Sequence, residues 1–81
     1  MSDFKPGDRV RLTDAYSRKN PDDFPGVVLE GRTGTVVHFD DYYDVVLDNP
    51  INGDPDDPDY LIGTENYTAL FTEDEIGKIN G

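Results

Sequence analysis

Residues 33–47 constrain the fold more than any other stretch. Thr33-Gly34-Thr35-Val36-Val37-His38-Phe39 is rich in β-branched residues and bounded by turn formers, which is the composition of a strand. Strict alternation puts Thr35, Val37 and Phe39 on one face and Val36 and His38 on the other. Asp40-Asp41-Tyr42 reads as a tight reversal. Tyr43 to Leu47 returns as a second strand with Tyr43, Val45 and Leu47 inward, so the pair predicts an antiparallel hairpin. A glycine inside such a β-branched run, Gly34, marks a bulge or a close approach of another backbone.

The flanking sequence adds more short strands. Lys5-Pro6-Gly7-Asp8 is a turn. It launches Arg9 to Thr13, with Val10 and Leu12 on one face and Arg9, Arg11 and Thr13 on the other. Residues 14–25 are polar and broken by Pro21 and Pro25, and read as a long loop. Val27-Val28-Leu29 reads as a short apolar strand ended by Glu30-Gly31. Residues 49–59 form a Pro/Gly/Asp loop in which three prolines remove backbone donors, so neither strand nor helix is expected there. Tyr60 to Ile62 resumes extended structure, Gly63 turns it, and Tyr67 to Phe71 is the last expected strand. Thr72-Glu73-Asp74-Glu75 matches a helix capping box, with Phe71 and Ile76 placed for a hydrophobic staple. Its three acids stand at the positive end of the helix dipole. Gly77 is expected to end this helix after about one turn.

Eighty-one residues predict one domain. A chain of this size buries roughly 60–65% of the surface that its unfolded form exposes, so stability is modest. The expected class is all-β: a small antiparallel barrel of five to six short strands with a C-terminal helical turn. Closure would remove exposed sheet edges.

Charge is distributed unevenly. Residues 1–32 carry six acids and six bases, whereas residues 33–81 carry twelve acids and only Lys78, which accounts for the whole net charge of −11. That balance argues against a nucleic-acid surface and for a cationic partner. It also predicts self-repulsion that moderate salt relieves. The chain has no cysteine, which excludes disulfides, thiolate zinc sites and thiol nucleophiles. No apolar run reads as a signal peptide or approaches the ~20 residues of a membrane span. These features point to the cytoplasm and away from a membrane.

Three pieces in order, Pro6-Gly7-Asp8-Arg9-Val10-Arg11-Leu12, Glu30-Gly31-Arg32-Thr33-Gly34-Thr35-Val36-Val37 and Tyr43-Asp44-Val45-Val46-Leu47-Asp48, resemble SH3-like barrels of the KOW-related bacterial type. Phe71-Thr72-Glu73-Asp74-Glu75-Ile76 is similar to the helical turn that ends many such domains. The resemblance covers about two thirds of the chain. It implies that residues 14–26 are the long first loop of the barrel and that Gly34 sits at a sharp strand bend. The chain is also similar to small uncharacterised proteins of actinobacteria and their phages. It departs from the family in charge, since RNA-binding KOW domains are usually basic. It also lacks the Trp and the first-loop motif with which SH3 domains bind polyproline.

The candidate sites follow from the acids. Asp40, Asp41 and Asp44 crowd the hairpin tip around Tyr42, an aromatic suited to anchor a partner. Together with Asp54, Asp56, Asp57 and Asp59 of the long loop they predict a surface for a basic protein, read as a non-enzymatic interaction module such as a phage or bacterial accessory protein. Two alternatives stand beside it. Asp48, Asn52, Gly53, Asp54, Asp56 and Asp59 fall at EF-hand-like positions, which would make a weak calcium site, although Pro50 and Pro55 interrupt the pattern and no helix flanks it. Arg9, Arg11 and Arg32 would serve a KOW-like nucleic-acid or ribosome-associated module. His38 stands alone with no cysteine or placed serine. No nucleophile–base pair or cofactor loop appears, so neither an enzyme nor a cofactor is expected.

Overall fold

The computed structural model describes residues 4–24 and 26–79, so the expectations for Met1–Asp3, Pro25 and the last two residues lie outside the described chain. The strands are β1 (Arg9–Leu12), β2 (Thr33–Phe39), β3 (Tyr43–Leu47), β4 (Ile51–Asn52), β5 (Leu61–Ile62), β6 (Ala69–Phe71) and β7 (Ile76–Lys78). One helix, α1 (Ala15–Lys19), follows β1, and a 3-10 turn at Glu73–Glu75 precedes β7. Five strands form one antiparallel sheet in the order β6-β3-β2-β1-β7, and β4 and β5 form a separate ribbon. The molecule is a small all-β barrel whose main sheet curls as an open half-barrel.

The inward faces of the central strands make the core. Val10, Val36 and Val45 are completely buried, and Leu12, Tyr43 and Leu47 nearly so. Arg9 and Arg11 are exposed on the opposite face of β1, as the period of two predicts. Gly34 is where two backbones approach. A Cβ there would lie 2.6 Å from the Val46 carbonyl oxygen and 2.8 Å from a Val45 methyl.

The face assignment within β2 changes halfway along it. Val36 pairs with Val45, but the next pair is His38 with Asp44 and then Phe39 with Tyr43. Val37 is therefore the extra residue of a β-bulge, and one extra residue reverses the alternation. Phe39 joins the face of Val36 and lies 4.3 Å from the Tyr43 ring, centroid to centroid. His38 is exposed on the outer face with Asp44 and does not share a face with Val36.

Further expectations are corrected. Residues 14–25 are not all loop. Asp14 and Arg18 close one helical turn by a backbone bond of 3.1 Å and an ion pair of 3.2 Å, with Ala15 buried. Residues 27–29 are not a strand. Leu29 is buried and Val28 exposed, but the segment joins no ladder, because β1 continues directly to the turn at Gly31–Arg32 through Gly31 N–H to Leu12 O and Leu12 N–H to Arg32 O. Residues 49–59 do contain a strand, since Ile51 and Asn52 fit between Pro50 and Pro55 and Ile51 pairs with Ile62.

The tail is more than a capped turn. Thr72 and Glu75 cap as expected, with Glu75 accepting the Thr72 N–H at 2.7 Å. The chain then returns as β7 and pairs Ile76 with Leu12 and Lys78 with Val10. The last two strands of the sequence reading shorten to 61–62 and 69–71.

Candidate functional site

The basic residues are largely held by the protein's own acids. Arg9 donates two bonds to Asp48, at 2.8 and 2.6 Å, and a third to the Thr35 hydroxyl. The Thr33 hydroxyl also donates to Asp48. These bonds hold the Asp48 carboxyl well below the usual carboxylate range. Lys19 reaches Asp74 at 2.9 Å and the buried Glu75 at 3.4 Å. Lys78 lies 3.6 Å from Asp8. Of the arginines proposed for nucleic acid, Arg9 is tied to Asp48 and Arg32 donates to the Val28 carbonyl at 2.9 Å, while Arg11 is exposed.

The acids at the hairpin tip are left outward. The Asp40 N–H bonds the Tyr42 carbonyl at 3.1 Å and closes the reversal. Tyr42 stands half exposed, in a shallow depression shared with His38, Asp40, Asp41, Asp44 and Leu70. None of the three aspartates forms an ion pair with a described residue. Leu70 pairs with Asp44 on the neighbouring strand and is itself 52% exposed. The tip therefore couples carboxylates to exposed apolar surface.

The long loop is folded by its own polar groups. Asn52 Oδ1 accepts the Asp54 N–H, Asp54 accepts the Asp56 N–H, and Asp57 accepts the Asp59 N–H. The Asn52 amide donates to the Asp57 carbonyl. The first three are local Asx-type turns, in which a short polar side chain satisfies a nearby backbone donor. Of the EF-hand-like ligands, Asn52 and Asp54 bond within their own loop while Asp48 bonds Arg9. Among the described residues no group of three or more acidic or histidine side chains is placed to hold a metal ion.

A second feature was not expected. A recess of about 180 Å³ opens between Tyr16, Phe24, Ile62, Tyr67 and strand β6. Leu29 and Ile51 of the core form its floor. Tyr16 stacks edge-on against Phe71 at 5.9 Å and approaches Phe24 at 6.2 Å. Its hydroxyl donates to Asp23 at 2.8 Å, and burial with the nearby carboxylate pushes the phenol up to about 12. The Tyr60 and Tyr67 hydroxyls meet at 3.1 Å, which raises the Tyr60 phenol too. The sequence did carry a signal: Tyr16 and Phe24 are large aromatics in a stretch otherwise too polar to need them.

No protein family model matches this chain, and neither the curated proteins nor the solved structures searched contain a match. No described helix is long and apolar enough to cross a membrane.

Proposed function

We propose that the chain is a non-enzymatic interaction module that binds a basic protein through Asp40, Asp41, Tyr42 and Asp44, with Asp54, Asp56, Asp57 and Asp59 as a second acidic contact. One observation carries this reading. Arg9, Arg18, Lys19 and Lys78 are paired with acids elsewhere, while the tip carboxylates surround exposed Tyr42 and Leu70 without an ion pair among the described residues. An aromatic anchor in a charged rim suits a partner of opposite charge, and such charge speeds encounter and makes it salt-sensitive.

The strand order β6-β3-β2-β1-β7, with a 3-10 turn before the last strand, supports an SH3-like barrel as the scaffold. The carboxylate density and small size favour an accessory role, bacterial or phage, in which acidic surface mimics nucleic-acid charge and occupies a basic host protein. The engagement of Arg9 and Arg32 disfavours the nucleic-acid alternative.

Capture from a bacterial lysate at low salt, eluted by a salt gradient, tests this. One basic protein is expected in stoichiometric amount, and lost when Asp40, Asp41 and Asp44 become Asn and Tyr42 becomes Ala. Undiminished capture by that variant and by a 54–59 Asp→Asn variant, or recovery of RNA instead, would overturn the reading.

A further inference from the structure

We propose that the open edge of β6 takes an extended segment of the partner as an added strand, with one large apolar side chain seated in the aromatic recess and Lys or Arg on either side of it. The partner's charge rests on the proposed function; the edge and the recess are independent of it.

The edge follows from the ladder. Among the described residues β6 ends the sheet, with β3 on its inner side. Along β3, the Asp48 N–H bonds Thr33 on β2, and the Leu47 N–H bonds the Gly63 carbonyl on the opposite side. Backbone groups of an antiparallel strand alternate in direction. Tyr43 and Val45 therefore bond Phe71 and Ala69, and Asp44 opposite Leu70 is a non-bonded pair. The N–H and C=O of Leu70 point away from the sheet, where an extended chain would pair with them. Strand addition of this kind takes its affinity from the main chain and its specificity from adjoining pockets.

The recess lies beside that edge, since β6 residues from Ala69 to Phe71 line it. Its volume of about 180 Å³ suits one large side chain, because a cavity of about 150 Å³ accepts a benzene-sized group. Among the described residues no charged side chain lines it.

Charge selects the occupant. Leu70 joins the recess to the hairpin depression with Asp40, Asp41 and Asp44. Phe24 and Ile62 join it at the other side to a depression bearing Asp22 and Asp23. The track thus runs acidic, apolar, acidic, and its complement is basic, apolar, basic. A second copy of this chain, itself at −11, would bring like charges together along the same track.

An NMR titration of the whole chain with the capped peptide Lys-Lys-Val-Leu-Val-Lys-Lys tests this. Amide shifts are expected at residues 67–71 and 62, with binding at least about tenfold weaker when the central Leu is Ser. Leu70→Pro removes the outward N–H and is expected to abolish binding. Tyr67→Ala, which takes away one wall of the recess, gives a second readout should Leu70→Pro unfold. Shifts confined to residues 40–44 and 54–59, indifferent to Ser at the centre, would overturn the strand-and-recess mode and leave the proposed function standing. Equal binding of a peptide with Ser in place of every Lys would support the recess and overturn the basic partner. Concentration-dependent self-association that shifts the same amides would overturn the proposal in favour of a second copy.

Discussion

Arg9 and Asp48, 39 residues apart in the chain, meet as a two-bond pair at 2.8 and 2.6 Å. The contact joins the neutral first part of the sequence to the acidic second part, from β1 over β2 to the end of β3. Thr33 and Thr35, side by side on β2, complete the network by bonding one partner each.

That network makes stability depend on acid pH in a defined direction. The Asp48 carboxyl is held low by the Arg9 and Thr33 bonds, and Asp74 by its Thr72 and Lys19 bonds. A folded-state pKa below the unfolded value near 3.9 contributes stability above that value, lost as pH falls through the depressed range. The melting temperature is expected to fall steeply below about pH 4, and Asp48→Asn is expected to flatten the fall. A pH series of thermal melts on both proteins checks this, and equal slopes would contradict it.

Gly34→Ala is expected to destabilise by about 2 kcal/mol or more, because the new methyl would meet backbone that cannot move without opening the β2–β3 ladder. Gly77→Ala is the control. Its Cβ would meet nothing nearer than the Arg11 carbonyl at 3.9 Å, so a change within about 0.5 kcal/mol is expected. Urea denaturation of the two variants separates the cases.

The bulge in β2 predicts opposite outcomes at neighbouring valines. Val36→Ala empties a fully buried position and is expected to cost about 1.5–3 kcal/mol. Val37→Thr alters an exposed bulge residue, and is expected to stay within about 0.5 kcal/mol. Equal losses would mean that Val37 packs inward and that the bulge is misplaced.

Tyr16 supplies an alkaline counterpart. Its phenol is raised to about 12 by burial and by the bond to Asp23. A raised pKa contributes stability that is complete below the unfolded value of about 10 and lost as pH rises through the folded one. The melting temperature is expected to fall between those values, and less steeply in Tyr16→Phe. Phenolate absorbance should also lose one late-titrating tyrosine in that variant; an unchanged titration curve would contradict the assignment.

The hairpin of β2 and β3 was legible because its information is local. Residues Tyr43, Val45 and Leu47 alternate and are buried in that pattern, and the close approach at Gly34 was expected from glycine in a β-branched run. The bulge was not legible, since Val36-Val37-His38-Phe39 reads the same with or without an unpaired residue. The helix α1 is too short for its periodicity to register. It is held by Thr13, Asp14 and the burial of Ala15.

The acidic tip and loop were named from the sequence, and the structure keeps both at the surface. Their separation from the calcium pattern was invisible, because a spacing of aspartates does not say whether a carboxylate faces its loop or an arginine 39 residues away. The recess was invisible for the same reason. It needs Tyr16, Ile62, Tyr67 and β6 brought together from three parts of the chain.

By itself, then, the sequence determined the all-β class, the inward faces of β1 and β3, the turn at residues 40–42 and the uneven charge, each set by neighbours a few residues apart. Only the tertiary structure decided which acids are paired, that Ile76–Lys78 closes the sheet beside β1, and that β6 is the end strand among the described residues, beside an apolar recess. Those depend on contacts between distant segments, and chain closure rather than local preference selects them.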